Sequence, residues 1–369
     1  MRLTRAEIKL SKLKFNYLNI RRKVSNCPVM AVVKADAYGH GMIQIVTALE
    51  SLANKKPSYY GVALLEEGIE LRKSKVTNSP ILIFAPFKKE ELNEIQKYQL
   101  IPTITSEQEI KDFGKINLNK KLKVHINIDT GMGRVGLPFE KAFDLIVKLS
   151  KVQNIIIDGI YTHFATSDEK NKKFALLQLK RFNEVIDKFK EAKIETGVIH
   201  AANSGAILDM PNTYFEMVRV GISLYGYYPS NETSESIKLK SVMSLVSAVA
   251  SLNEVSKGTS ISYGRKYRAK NNTKIISVSI GYADGIKRGL TNNMFCIIKN
   301  RKYPQVGTVT MDRIMFDIGT AKIKVGDKVI LLGNSKSEVI SASDWCNTLN
   351  TIPYEITCGI SKRVPRKYI

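Results

Sequence analysis

The sequence predicts an α/β chain: an N-terminal (β/α)8 barrel of the TIM type, followed by a mostly antiparallel β domain. Three observations carry this reading. Eight short β-rich runs alternate with helix-like segments through the first part of the chain. From about residue 238 the β-rich runs follow one another directly, with turn signals between them. The polar stretch PSNETSES (229–236) separates the two textures. We therefore take residues 1–235 as the barrel domain and 236–369 as the β domain.

The eight runs are PVMAVVK (28–34), SYYGVALL (58–65), PILIFAP (80–86), LIPTIT (100–105), KVHINID (123–129), IIIDGIYTHFA (155–165), TGVIHAA (196–202) and MVRVGISLYG (217–226). Strands that alternate with helices pair in parallel, and eight such units suit a closed barrel. Two of the intervening helices are clear. GMIQIVTALE places Met42, Val46 and Leu49 on one face. NKKFALLQLKRFNEVIDKFKEA repeats Phe174, Leu177, Phe182, Val185 and Phe189 at helical spacing. In the second domain, SVMSLVSAVASL, TKIISVSIGYADG, MFCIIKN, YPQVGTVTMDRIMFDI and DKVILLG read as strands. SASDWCNTLN reads as a helix with Ser341 or Ser343 as its N-cap.

Composition bounds the function. The 369 residues exceed the size at which one core usually suffices. Hydrophobic content of 44% and charged content of 25% are ordinary for a globular chain. The formal charge of +23 raises polyanions as partners, but the lysines are scattered (KLSKLK, KK at 55–56, KNKK at 170–173) and form no basic tract. We expect neither a nucleic-acid nor a membrane partner. The four cysteines lie far apart with no CxxC pair, so no metal site or disulfide framework is expected. The N-terminal segment is charged throughout, and no apolar run has the length of a membrane span. A cytoplasmic protein is the expectation.

Barrel enzymes place their chemistry at the C-terminal ends of the strands. Here those ends carry Lys34, Asp36, Tyr38 and His40 after the first strand, and Asp129 with Arg134 after the fifth. His163 follows at the sixth, Asn203 and Ser204 at the seventh, and Arg219 lies in the eighth. HAANSG can open a short helix whose N–H groups and Ser204 grip a phosphate. Gly221 allows close backbone approach after the eighth strand. No P-loop, HExxH or GxSxG motif occurs. A lysine facing an anion site points to pyridoxal phosphate, which needs a Schiff-base lysine, a phosphate site and a partner for its ring nitrogen.

At this point nine motifs form a set. AVVKADAYGHG, HINIDTGMGRVG, YTHFATSDE, HAANSG, MVRVGISLYG, SYGR, IGYADG, TVTMDRIM and YEITCGISKRVPR together resemble the alanine racemases, in the same order from residue 31 to 366. The resemblance implies interconversion of L- and D-alanine by two bases, with pyridoxal phosphate as cofactor, in a homodimer whose active sites each use both chains. It implies Lys34 as the cofactor lysine and first base, and Tyr263 as the second base, donated by the other chain. Tyr38, Ser204, Gly221, Ile222 and Tyr354 match the phosphate contacts, with Asn203 beside them. Arg219 matches the partner of the ring nitrogen, and His163 is expected to link it to Tyr263. Arg134 matches the contact to the cofactor's phenolic oxygen and, with Met311, the substrate carboxylate site. Tyr282 and Tyr354 match the narrow entrance.

These residue types suit the reaction. An amine and a phenol on opposite faces remove and return the α-proton without turning the substrate. An arginine at the ring nitrogen donates a hydrogen bond without yielding its proton, which keeps the ring a weaker electron sink. One position departs from the family pattern. Many members carry a lysine, often carbamylated, where this chain has Asn127. A chloride ion or water near Asn127 is the expected substitute beside Arg134. The resemblance also implies D-alanine supply for bacterial peptidoglycan. The alternative is a broad-spectrum alanine/serine racemase of the same fold. A decarboxylase of this fold type usually has glutamate at the ring nitrogen, where MVRVG supplies arginine.

Overall fold

A computed structural model describes residues 3–113 and 121–369. The chain divides into two compact units. One comprises Leu13–Ala37 with Met42–Lys240; the other comprises Tyr38–Gly41, Ser241–Ile369 and the residues before Leu13.

The first unit is the barrel. Its strands are Val29–Val32, Tyr59–Val62, Ile81–Ile83, Thr103–Ile104, Leu122–Asp129, Ile155–Tyr161, Val198–His200 and Val218–Val220. Each of the eight β-rich runs holds one of them, except that Leu122–Asp129 begins one residue before KVHINID. Neighbours pair in parallel, with Met30 opposite Tyr59, Thr103 opposite His125, and Gly159 opposite both His125 and Val198. Val218–Val220 returns to Val29–Val32, and single bridges at Leu82–Ile101 and His200–Met217 close the remaining two seams. Apolar side chains gather within it: Met30, Leu82, Ile101, Tyr161 and Met217 pack together, with Tyr59 and Phe84 against them.

The helix Lys173–Glu191 forms where its periodicity predicts, but its buried face is turned from the predicted one. Phe182, Val185 and Phe189 are buried, whereas Phe174 and Leu177 remain exposed. Ala175, Gln178 and Leu179 take the inward positions. Gln178 is buried because its amide is satisfied: Oε1 accepts the Ala165 N–H at 2.9 Å, and Nε2 donates to the His163 carbonyl at 3.0 Å. Full burial of Phe182 alone stabilises by about 1.5–3 kcal/mol.

The second unit is built on a long strand, Met243–Val255. It pairs antiparallel with Lys328–Asn334 and with Thr273–Val278, which in turn pairs with Ile314–Gly319. Arg5–Ile8 also runs antiparallel to it, and on its other side lies parallel to Arg366–Tyr368. That one parallel pair is the exception in a sheet that is otherwise antiparallel among the described residues. The helix Ala342–Leu349 starts at Ser341, whose Oγ accepts the Asp344 N–H while Asp344 accepts the Ser341 N–H in return. Among the described residues no helix is long and apolar enough to cross a membrane.

Candidate active site

Lys34 stands at the end of the first barrel strand, where the backbone reverses hand. Ala35, Asp36, Ala37 and Tyr38 have φ of 51–54°, so Lys34–Gly39 is a left-handed helical turn. L-residues avoid this conformation by about 1–2 kcal/mol each, so the turn survives only because its surroundings hold it. Glu67 Oε1 accepts the Ala35 N–H at 2.6 Å, Val33 O accepts the Ala37 N–H at 2.8 Å, and Asp36 Oδ1 accepts the Met42 N–H at 2.7 Å. His40 Nδ1 lies 2.9 Å from the Tyr38 carbonyl oxygen.

Opposite, the loop DTGMGR is wound around one side chain. Asp129 Oδ1 accepts from the N–H groups of Gly131 and Met132 at 2.9 and 2.8 Å, and Oδ2 from Gly133 at 3.0 Å. Positive φ at Gly131 and Gly133 lets the chain wrap that tightly and leaves Arg134 exposed at its tip. Asn127, almost fully buried beneath, donates from Nδ2 to the Val135 carbonyl at 3.0 Å, while its Oδ1 has no hydrogen-bond partner among the described residues.

Arg219 lies 3% exposed inside the barrel. Its Nη1 donates to His200 Nδ1 at 2.9 Å; its Nη2 donates to the Thr162 and Ala201 carbonyls at 2.8 and 3.0 Å and meets His163 Nδ1 at 3.3 Å. Burial pushes this guanidinium down to about 10, still cationic at neutral pH. His163 is held well below the ordinary imidazole value by burial and by the charges of Arg219, Arg134 and Lys34. The charges of one amine and two guanidinium groups therefore all disfavour a second proton on this imidazole.

Next to this cluster is an arrangement of backbone donors. Asn203 caps the short helix Ser204–Asp209 through its Oδ1, which accepts the Ala206 N–H at 3.1 Å and the Ser167 hydroxyl at 2.6 Å. Ser204 Oγ in turn accepts the N–H groups of Gly221 and Ser223 at 3.0 and 3.4 Å. Ile222 is fully buried between them, and Ser223 Oγ is buried with no hydrogen-bond partner among the described residues.

In the second unit, Tyr263 is 75% exposed, on a turn with positive φ at Ser262, Gly264 and Arg265. The Thr308 hydroxyl donates to the Tyr263 carbonyl at 2.6 Å, and Ser262 Oγ donates to the Thr308 carbonyl at 2.7 Å. Tyr263, Tyr282 and Met311 line one open cleft of about 810 Å³ together with Arg288. Tyr38 and Tyr354 face each other with ring centroids 5.8 Å apart. Gly39, behind them, has no room for a side chain, since a Cβ would lie 2.3 Å from the Thr357 carbonyl oxygen.

The pattern described as "Alanine racemase, N-terminal domain" matches residues 8–229, and "Alanine racemase, C-terminal domain" matches residues 242–368. The chain belongs to the alanine racemase family. Alanine racemase 2 of Caldanaerobacter subterraneus subsp. tengcongensis is 40% identical, over 100% of this chain and 95% of that one. The alanine racemase of Clostridium tetani is 42% identical over 99% and 95%. Among solved structures, alanine racemase of Clostridium difficile 630 superposes with a TM-score of 0.92 at 38% identity, covering 100% of this chain and 96% of that one. Alanine racemase from Bacillus anthracis with bound L-Ala-P does so with 0.92 at 34% identity, over 100% and 95%.

Alanine racemases are pyridoxal-phosphate-dependent isomerases. The barrel residues fit that group. The buried Ser223 hydroxyl, which has no partner among the described residues, suits a phosphate oxygen. Arg219 hydrogen-bonds only neutral groups among the described residues, so its charge is left for a ring acceptor. The sequence reading of this alanine racemase fold missed His200. It sits in HAANSG, which drew attention for its serine, and its partner Arg219 is 19 positions away.

Proposed function

We propose that this chain interconverts L-alanine and D-alanine by a two-base mechanism. The observation that carries it is Arg219, buried inside the barrel, bonded to His200 and 3.3 Å from His163, in the same unit whose strand ends carry Lys34 and Arg134. When bound, pyridoxal phosphate supplies the electron sink that makes the α-proton labile. Lys34 anchors the cofactor, and its Nζ then takes or returns the proton on one face of the substrate. Tyr263 of a second copy serves the opposite face through its hydroxyl. Ser204, Gly221 and Ile222, with Tyr38 and Tyr354, hold the phosphate, and Asn203 orients Ser204. Arg219 donates to the ring nitrogen and keeps its proton.

Arg134, with Met311, receives the substrate carboxylate, while Tyr282 and Tyr354 narrow the entrance. The working form is then a homodimer with shared sites, in the cytoplasm, feeding D-alanine to peptidoglycan. Beside Arg134 we place a chloride ion or a water: either accepts the second N–H of the Asn127 amide, and a water also donates to its unpartnered Oδ1. Because Asn127 is neutral and short, a broad-spectrum alanine/serine racemase is the second reading.

The test is direct. The purified chain, yellow with bound cofactor, is incubated with L-alanine and then L-serine, and the products are resolved chirally. D-alanine formed well ahead of D-serine supports the first reading; comparable rates support the second; no racemisation of either removes both. Lys34→Ala should lose the visible band together with the activity. Exchanging chloride for gluconate should slow the enzyme at least about twofold; an unchanged rate removes the ion. Sedimentation decides the dimer.

A further inference from the structure

The barrel interior holds a polar chain that the proposed chemistry does not use. Arg219 Nη1 lies 2.9 Å from His200 Nδ1, and His200 Nε2 lies 2.9 Å from His125 Nδ1. His125 Nε2 faces Asp158 Oδ2 at 3.6 Å, beyond a hydrogen bond but close enough for an N–H dipole to act on a carboxylate. Both histidines are fully buried. Asp158 also accepts the Tyr59 hydroxyl at 3.0 Å and pairs with Lys123 at 2.7 Å.

The chemistry of the end groups orders every proton between them. A guanidinium only donates, so His200 Nδ1 accepts and its proton sits on Nε2. That proton is donated to His125 Nδ1, which leaves the His125 proton on Nε2, aimed at Asp158. A carboxylate only accepts, so both ends demand the same direction. The reverse arrangement sets an N–H of His200 against an N–H of Arg219. Burial keeps both imidazoles neutral, since it lowers both and the Arg219 charge adds to the effect. The backbone makes room for this chain: a Cβ on Gly159 would lie 2.6 Å from His125 Cε1.

We propose that Asp158 is a positioning residue for racemisation. Through His125 and His200, whose proton order matches what its carboxylate demands, its negative charge steadies Arg219 as a rigid donor in the site. This rests on the proposed role of Arg219, but the first test does not. ¹⁵N-histidine NMR of the full-length holoenzyme should show His125 and His200 neutral and protonated on Nε2. A proton on Nδ1 of His200, or a cationic imidazole at either position, overturns the proposal without any mutant. Asp158→Asn should keep that order, which Arg219 still imposes, but by removing the carboxylate charge it should shift the visible band of the bound cofactor and lower kcat about tenfold in both directions with KM within about twofold. An unmoved band and an unchanged kcat in that variant overturn it. If wild-type protein has the ordered tautomers but racemises nothing, the functional reading fails and not the relay.

Discussion

Asp36 Oδ1 accepts the Met42 N–H at 2.7 Å and so ties down the far end of the left-handed turn that begins at Lys34. The bond spans six residues and opposes the tendency of four consecutive L-residues to leave positive φ. Asp36→Ala should lower the unfolding free energy by about 1 kcal/mol, the net value of one such bond at an exposed site. It should lower kcat as well, because Lys34 loses its fixed base. Asp36→Asn, which keeps an acceptor, should recover most of both. Denaturant titration and initial rates measure the two effects; equal losses in both variants would show that the acceptor is not what matters.

A single methyl group should disturb the relay without touching its polar members. Gly159→Ala puts a Cβ against the His125 ring, and overpacking of this kind costs about 1–3 kcal/mol. The expected result is a lower melting temperature together with altered His125 resonances. A variant as stable as wild type with unmoved resonances would contradict the packing.

The buried imidazoles should also set an acid limit on stability. His125 and His200 are held below the ordinary imidazole value, His125 by burial and His200 by burial and the Arg219 charge. Above about pH 6.5 neither the folded nor the unfolded chain protonates them, and they contribute no slope. As pH falls below that, the unfolded chain takes up protons that the folded chain refuses. Stability then drops by up to about 1.4 kcal/mol per histidine per pH unit, until the folded values are reached. Asp158 acts in the same direction further down. Burial opposes its ionisation, but His125 and Lys123 outweigh this and hold it below the usual carboxylate range. Its contribution is present above about pH 4 and lost as pH falls further. Melting temperatures from about pH 8 to about pH 5 check the histidine slope; a flat profile would refute it.

Tyr263 offers a clean separation of chemistry from folding. Its side chain is 75% exposed, so Tyr263→Phe should change stability by no more than about 0.5 kcal/mol. Racemisation should fall by about 10²–10⁴-fold, the range for a lost general base. In deuterated water the variant should still exchange the α-proton of one enantiomer, through Lys34, and not of the other. Exchange lost equally from both would contradict two bases on two faces.

Much of this architecture was legible because the short apolar runs alternate with helix-like segments, and the alternation settles what each run alone leaves open between strand and helix. What escaped did so for identifiable reasons. Arg5–Ile8 reads RAEI, half charged within a charged segment, and becomes a strand only because two other strands flank it. The helix Lys173–Glu191 hides a glutamine and shows a phenylalanine, because three polar groups wait for Gln178 inside. The turn after Lys34 contains no glycine until Gly39, so nothing local announces its handedness. His125, His200 and Asp158 are scattered through three strands, and only the closed barrel makes them neighbours.

The pairing of Arg5–Ile8 has a consequence for how the protein is made. Ala6 lies opposite Leu245 on one side and Arg366 on the other, so the sheet of the second unit joins segments separated by the whole barrel. On the ribosome, residues 5–8 emerge before the barrel and wait, unpaired, while the barrel is synthesised between them and their partners. The barrel has every one of its strands by residue 220. The other unit cannot finish until residues 366–368 emerge, so a chain stalled or clipped before them should leave a formed barrel with an open sheet edge, a natural target for degradation.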